Sequence, residues 1–229
     1  MDGAGTSVTT DFRDAITTVE GLRELYRDPG ARGKAKEVDH LDANCVAFLA
    51  HSTFVMVATA DGEGHHDNSP RGGPPGFVKA LDARRLAIPD LSGNNRLDTL
   101  QNIVRTGGIG LLFMVPGIDE TLRVNGRATV TTDPEVLAAC VVEGRVPRVA
   151  VGVTVDSAYI HCAKALRRGG LWDSASWPDT ADMPTIACMI RDHVELPDID
   201  PALIEADLEA NYAKTMWLPG GDTPPDAPT

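Results

Sequence analysis

The stretch Ser52-Thr-Phe-Val-Met-Val-Ala-Thr-Ala-Asp-Gly62 decides the fold. Residues 52–60 are mostly apolar and rich in β-branched side chains, which is typical of a buried strand. The Asp61-Gly62 pair that follows is a common hairpin turn. The pattern therefore predicts that an antiparallel sheet begins here.

Working outward from this stretch, further segments with strand character lie between clusters of proline and glycine. We predict strands near residues 65–71, 77–81, 85–89, 108–115, 120–132 and 149–161. Helical spacing and capping residues predict helices from Thr10 or Asp11 to Glu20, over Glu37–His51, over Arg96–Arg105, from Asp133-Pro134 onward and over Pro201–Tyr212. Because the helices are inserted and do not alternate with the strands, we expect an α+β fold, mainly β: an antiparallel barrel with peripheral helices.

The composition is that of a globular protein with an excess of acidic residues. The chain has 229 residues, of which 42% are hydrophobic, and its formal net charge is −12. A general affinity for nucleic acid or for an anionic membrane surface is therefore not expected. An anionic ligand would need a local basic site.

The cysteines and the start of the chain bear on the compartment. Cys45, Cys140, Cys162 and Cys188 show neither a CxxC pair nor zinc-type spacing, so we expect buried thiols in a reducing compartment and no metal site. Residues 1–10 lack the features of a signal peptide, and no apolar run is long enough to span a membrane. The sequence predicts a cytoplasmic protein.

Two segments rich in glycine or small polar residues are candidates for ligand binding. In 67–76, Arg71 follows a predicted strand and enters a Gly/Pro stretch that could let a flat ligand approach the backbone. In 92–96, a small polar turn with Arg96 precedes a helix N-terminus, where free N–H groups attract an anion. A solvated loop and an ordinary helix start are the open alternatives.

Two further segments carry cations. Thr121, Arg123 and Asn125 alternate with apolar residues, so they share one face of a strand, which either binds an anion or faces solvent. Residues 161–172 combine several cations with Trp172 after a long strand and suggest an anion or stacking site. Neighbouring His and Cys residues on a strand point to opposite faces, which argues against a catalytic pair there.

In their order along the chain, several motifs together resemble one known family. The motifs are Phe54–Gly62, Ser69-Pro-Arg-Gly72, Leu86-Ala-Ile-Pro-Asp90, Gly93–Ile103, Leu122–Ala128, and His161-Cys-Ala-Lys-Ala165 with Leu171-Trp172. Between about residues 40 and 175 the chain resembles the pyridoxamine 5′-phosphate oxidase-like FMN-binding proteins. Within them it is similar to a bacterial subgroup with SPRG, IPD and GNxRLDTLxN motifs.

The resemblance implies a split β-barrel that forms a homodimer with FMN at the subunit interface. It places three motifs around the cofactor: one beside the isoalloxazine ring, one under the ring and ribityl chain, and one at the phosphate. It also implies an interface strand and a C-terminal segment contributed by the partner chain. The corresponding residues, in that order, are Ser69, Pro70, Arg71 and Gly72; Ile88, Pro89 and Asp90; Asn94, Asn95 and Arg96; Thr121 and Arg123; and Trp172 with Lys164 and Arg167.

The function that the resemblance implies is an FMN-dependent oxidoreductase. We expect hydride transfer at flavin N5 to or from a small organic substrate, with no obligatory acid–base residue and a nicotinamide cofactor as one candidate electron donor. Pyridoxamine phosphate oxidation is not expected, because Arg96 stands with two asparagines where the oxidase has a basic pair. The alternative is a non-catalytic protein that binds or senses a flavin or another flat cofactor, such as haem or deazaflavin.

The predicted organisation has four parts. These are an N-terminal tail with covering helices (1–37), the FMN-binding split-barrel domain (38–175), a C-terminal extension with one helix (176–217) and a disordered tail (218–229).

Overall fold

A computed structural model describes residues 12–221 and divides the chain into two compact units, Met1–Glu37 and Val38–Thr229. The first unit contains helices α1 (Val19–Leu25) and α2 (Ala31–Ala35). Thr18 caps α1 by accepting a hydrogen bond from the backbone N–H of Gly21. The helix therefore begins at Val19, and the prediction of a helix ending at Glu20 was wrong within the described residues. Thr10 and Asp11 lie outside them.

Seven strands of the second unit form one antiparallel sheet within the described residues. In chain order they are β1 (Phe54–Ala60), β2 (His66–Gly72), β3 (Lys79–Ala80), β4 (Arg85–Pro89), β5 (Gly108–Met114), β6 (Thr121–Thr131) and β7 (Ala150–His161). The strands lie in the order β2-β1-β5-β6-β7-β4-β3. The sheet does not close on itself, and the α+β, mainly antiparallel fold class is confirmed.

Helices are inserted at the ends of these strands. They are α3 (Ala43–His51), α4 (Asp98–Thr106), α5 (Pro134–Ala139), α6 (Lys164–Arg168), α7 (Ile186–His193) and α8 (Pro201–Thr215), with a 3₁₀ turn at Ser174–Ser176. Asp42, Asp133 and Asp200 cap α3, α5 and α8 by accepting backbone N–H bonds, as is usual for aspartate at this position.

The core lies on one face of the sheet because the strands alternate inward apolar side chains with outward ones. Strands β1, β5 and β6 contribute Val55, Val57, Leu111, Phe113, Leu122 and Val124, all almost inaccessible to solvent. Helix α4 packs on this face, where buried Asn102 donates a hydrogen bond to Thr59 of β1. This contact ties the middle of α4 to β1.

The C-terminal segment differs from its prediction in two ways. It contains two helices, α7 and α8, where one was predicted. Residues 218–221 are not a free tail, because Ser92 N–H donates to Leu218 O at 2.8 Å and Gly220 N–H donates to Asp90 O at 3.1 Å. The rest of the predicted tail, 222–229, lies outside the described residues.

The predicted burial of the cysteines holds in part. All four are free thiols; Cys45 and Cys140 are buried, Cys188 is half-buried and Cys162 is exposed. In the described residues, no helix is long and apolar enough to cross a membrane.

Candidate functional site

A cleft of about 430 Å³ opens where the two ends of the sheet approach each other. Strand β2 lies at one edge of the sheet, and β4 lies one strand in from the other. Both reach the cleft, which is also bordered by the turn before α4, the start of α4 and the C-terminal segment. Its size falls in the ordinary range for cofactor and small-ligand sites.

Three predicted motifs line this cleft together. The residues that the structure brings there are Ser69, Pro70, Arg71, Gly72, Pro89, Asp90, Asn94, Asn95 and Arg96. Ile88 is not on the cleft wall: it is 3% exposed, and its side chain belongs to the core. This follows from strand alternation, since neighbouring residues of β4 face opposite sides.

Arg71 is anchored on the cleft wall. One guanidinium nitrogen donates to Pro70 O at 2.8 Å, and the other donates to the hydroxyl of Thr99 at 3.2 Å. Thr99 is 3% exposed and also donates to the carboxylate of Asp67 at 2.5 Å. The cation is therefore held at the mouth of the cleft by contacts to both β2 and α4.

The turn before α4 has an unusual backbone. Asn95 and Leu97 have φ angles of 57° and 62°, in the left-handed region that a leucine adopts only with strain. This is why α4 begins at Asp98, two residues later than predicted. No side chain caps the helix at Leu97, and residues 98–100 of its first turn border the cleft. A helix N-terminus at a cleft is favourable for an anion, because its first N–H groups have no partner within the helix.

Arg96 in this turn is paired with an acid. Its Nε donates to Asp98 at 2.9 Å, which raises the pKa of the guanidinium, and Asp67 contributes to the rise less strongly. Both partners of the ion pair are exposed, and such pairs are weak. A phosphate can therefore replace Asp98 as the partner of Arg96.

Asp90 lies in the cleft beneath the C-terminal segment. Burial raises the pKa of its carboxyl, and the charge of Arg71 opposes this. Gly220 packs so closely that a Cβ at this position would collide with the Asp90 carboxylate. Sequence reasoning missed this contact with the C-terminal segment, and Met216 and Gly221 likewise border the cleft.

The predicted interface strand lies elsewhere. Thr121 and Arg123 are on β6 and do not border the cleft. Arg123 donates a hydrogen bond to the Tyr159 hydroxyl at 3.1 Å, and its guanidinium carbon stands 5.7 Å from the centre of that ring. Thr121 pairs with His161 of β7 and is buried.

Two of the predicted C-terminal residues, Arg167 and Trp172, border a second, more open cavity of about 560 Å³. Arg167 bonds Asp119 at 2.7 Å, and the Trp172 indole donates to Ile118 O at 3.0 Å. Lys164 begins α6 and does not line this cavity. One chain therefore does not bring Trp172 and Arg96 to a common cavity.

The hairpin turn between β1 and β2 groups three potential metal ligands. Asp61, Glu63 and His65 hold their ligand atoms within 4.8 Å of one another. Asp61 already accepts hydrogen bonds from both of the other residues' backbone N–H groups and contacts the His65 ring at 2.7 Å. These bonds lower the pKa of Asp61 to about 2. They explain the aspartate as a turn-forming residue without a metal ion.

Fold and cleft define a class of protein: an open antiparallel sheet with a cleft between its two ends that is lined by arginines, hydroxyl groups and a helix N-terminus. The pyridoxamine 5′-phosphate oxidase family matches residues 41–162, more than half of the chain. The chain belongs to this family, whose members bind flavin-type cofactors and include oxidases and reductases.

The solved structures to which the chain is similar are distant in sequence. HupZ from Group A Streptococcus is 19% identical, with 52% of this chain and 93% of that chain covered and a TM-score of 0.43. An FAD-binding protein from Mesorhizobium loti is 14% identical, with 54% and 97% covered and a TM-score of 0.37. No curated protein matches the chain significantly.

Proposed function

We propose that this protein is an FMN-dependent oxidoreductase that acts on a small organic substrate other than pyridoxamine phosphate. The observation that carries the proposal is the convergence of Ser69–Gly72, Pro89–Asp90 and Asn94–Arg96 on one cleft. These segments are separate in the sequence, and the resemblance assigns each of them to a different part of the same cofactor.

The residues of the cleft fit the chemistry of FMN. Arg96 and the open first turn of α4 supply N–H donors for a phosphate. Arg71 supplies a fixed cation for an electron-rich ring edge, where it would stabilise the reduced, anionic ring. Gly72 and Pro89 leave the wall nearly flat.

The bound flavin would supply hydride chemistry, while the chain binds, orients and shields it. Arg71 holds positive charge beside the ring. Asp90 lies in the same cleft with a carboxyl whose pKa is raised by burial, and Met216 with Gly220 covers one side of the site. None of these roles requires a metal or a nucleophile.

We further propose that the working unit is a homodimer in which Thr121, Arg123 and the segment with Lys164, Arg167 and Trp172 complete the partner's site. Of these residues, Arg167 and Trp172 border the second cavity and the others border neither. This supports the proposal, because a ligand in one chain's cleft does not reach any of them within that chain. The small organic substrate, with NAD(P)H as candidate electron donor, would enter above the ring. We propose a cytoplasmic location.

The first test is the purified protein itself. We expect yellow absorption with FMN, identified by mass after extraction, and a bound flavin that a nicotinamide donor reduces and an organic acceptor reoxidises faster than air. A bound flavin that no donor or acceptor turns over would identify the non-catalytic alternative. A colourless protein that takes up neither FMN nor deazaflavin would refute the proposal.

The phosphate assignment is tested by Arg96→Ala. Loss of a charge-assisted contact is expected to weaken FMN about ten- to a hundredfold and to leave riboflavin, which lacks the phosphate, unchanged. Arg105→Ala, at the opposite end of α4, is the matched control and should leave both affinities unchanged. Equal losses for FMN and riboflavin would contradict the placement of the phosphate.

The dimeric site is tested by mixing two defective chains. Trp172→Ala and Arg96→Ala homodimers should each bind FMN weakly. If one site uses Arg96 of one chain and Trp172 of the other, random exchange makes about half of the dimers mixed, each with one intact site. About a quarter of the sites should therefore recover full affinity, whereas a site within one chain would recover none.

A further inference from the structure

Behind the cleft wall, one carboxylate organises two hydroxyl groups. Asp67 is on β2 and does not border the cleft, whereas Ser69, Arg71 and Thr99 do. The Ser69 hydroxyl donates to both carboxylate oxygens of Asp67, at 2.9 and 3.0 Å. The Thr99 hydroxyl donates to one of them at 2.5 Å. Asp67 thus links β2 to the first turn of α4.

The direction of each hydrogen bond in this group follows from the chemistry of its members. A carboxylate only accepts, a guanidinium only donates, and a hydroxyl has a single proton. Because Thr99 gives its proton to Asp67, it presents a lone pair to Arg71, whose N–H donates to it at 3.2 Å. Because Ser69 also gives its proton to Asp67, its oxygen can act toward the cleft only as an acceptor.

We infer that Asp67 is a positioning residue of the cofactor site: through Ser69 and Thr99 it fixes an acceptor and the Arg71 cation side by side on the cleft wall. This inference rests on the proposed flavin function and adds a residue that no part of the resemblance assigned. Asp67 acts through Arg71, which the proposed function places beside the ring: Ser69 lies on the same strand as Arg71, and Thr99 in the first turn of α4 accepts a hydrogen bond from it. It does not touch the ligand.

A purely electrostatic role makes the opposite prediction. Asp67 is close enough to contribute to the raised pKa of Arg96, after the larger effect of Asp98. Removing its negative charge would therefore strengthen the attraction for a phosphate and tighten FMN binding. A positioning role predicts weaker binding instead, so the sign of the change decides between the two.

The experiment compares Asp67→Asn with wild type using FMN and riboflavin as probes. We expect both ligands to bind about three- to tenfold more weakly, because the ring contacts are common to both. The loss for riboflavin should be at least as large as that for FMN, since only the phosphate of FMN gains from removing a negative charge near Arg96. Unchanged or tighter binding of riboflavin would overturn the inference. Asp156→Asn on β7 removes an exposed carboxylate that lies away from the cleft and should change neither affinity.

A second pair of variants tests the hydrogen bonds from Arg71 through Thr99 to Asp67 without changing the charge of the protein. Thr99→Val keeps the shape of the side chain but removes the hydroxyl, so it should weaken both ligands as Asp67→Asn does. Thr99→Ser keeps the hydroxyl and should retain wild-type affinity. Equal ligand affinities of the Thr99→Val and Thr99→Ser variants would overturn the inference. This comparison also tests the inference if Asp67→Asn fails to fold.

A measurement without ligand separates this inference from the proposed function. In the wild-type protein, the NMR signals of the Arg71 guanidinium should show restricted rotation, which Asp67→Asn and Thr99→Val should release. Unchanged Arg71 signals would overturn the positioning role even if flavin binds. If the wild-type protein binds no flavin but the two variants release the Arg71 guanidinium, the proposed function is refuted and the hydrogen-bond network stands as described.

Discussion

Gly73→Ala is a sharp test of the cleft geometry. A Cβ on Gly73 would stand 2.5 Å from Cγ and 2.6 Å from Cβ of Phe77, against about 3.5–4.0 Å for a relaxed carbon contact. Phe77 is 2% exposed, and its Cβ is fixed to the backbone, so a rotamer change does not relieve the collision. The loop must shift by about 1 Å, and overpacking of this kind costs about 1–3 kcal/mol.

Chemical and thermal unfolding measure this cost. For a chain of this size, Gly73→Ala should lower the melting temperature by about 2–12 °C. Because Phe77 borders the cleft, FMN binding should weaken as well. Gly72→Ala is the matched control: its nearest neighbour, Thr53 O, is 3.6 Å away, so stability should stay within about 0.5 kcal/mol of wild type. A Gly73→Ala protein as stable as Gly72→Ala would refute this description of the loop.

Two further predictions concern titratable groups. Burial raises the pKa of the Asp90 carboxyl, and the charge of Arg71 offsets this only in part. The folded protein therefore holds the carboxyl proton more tightly than the unfolded chain does, and stability is lost as the pH rises through the raised pKa. Asp90→Asn should therefore raise the melting temperature at neutral pH, with a gain that fades as the pH falls below the ordinary carboxyl range; a gain independent of pH would contradict this origin. Exposed Cys162 should react first with a thiol reagent. Burial raises the pKa of Cys45 and of Cys140 to about 11 and should protect both thiols until the protein unfolds. Peptide mass spectrometry after timed labelling measures this order.

The sequence predicted the sheet well because its signals are local. Alternating side chains and Gly/Pro boundaries placed β1, β4 and β5 within about two residues of their observed ends. Strand β3 was predicted over 77–81 but spans only Lys79–Ala80, because Phe77 and Val78 turn into the core before the strand pairs. Here the burial of Phe77 and Val78 in the core took precedence over the local strand pattern of residues 77–81.

The missed features depend on distant contacts. Residues 218–221 have the proline and glycine content of a frayed end, and only their pairing with Asp90 and Ser92, more than a hundred residues earlier, orders them. Helix α7 did carry a local signal in the sequence, because Thr185 is a residue type that commonly caps helices. In the structure it accepts a hydrogen bond from Cys188 N–H at the start of the helix. The role of Thr99 had no local signal, since its partners Asp67 and Arg71 lie on another element.

The cleft also bears on an apparent conflict between the acidity of the chain and the anionic cofactor that we propose for it. A net charge of −12 repels phosphate at long range, but screening confines this repulsion to about 8–10 Å at physiological salt. Within the cleft, Arg71 and Arg96 stand with the open turn of α4, and each cation is held by a short contact to a neighbouring strand or helix residue. On the proposed function we therefore expect selectivity for one small anion over polyanions, because a polymer would have to approach a chain whose net charge is −12.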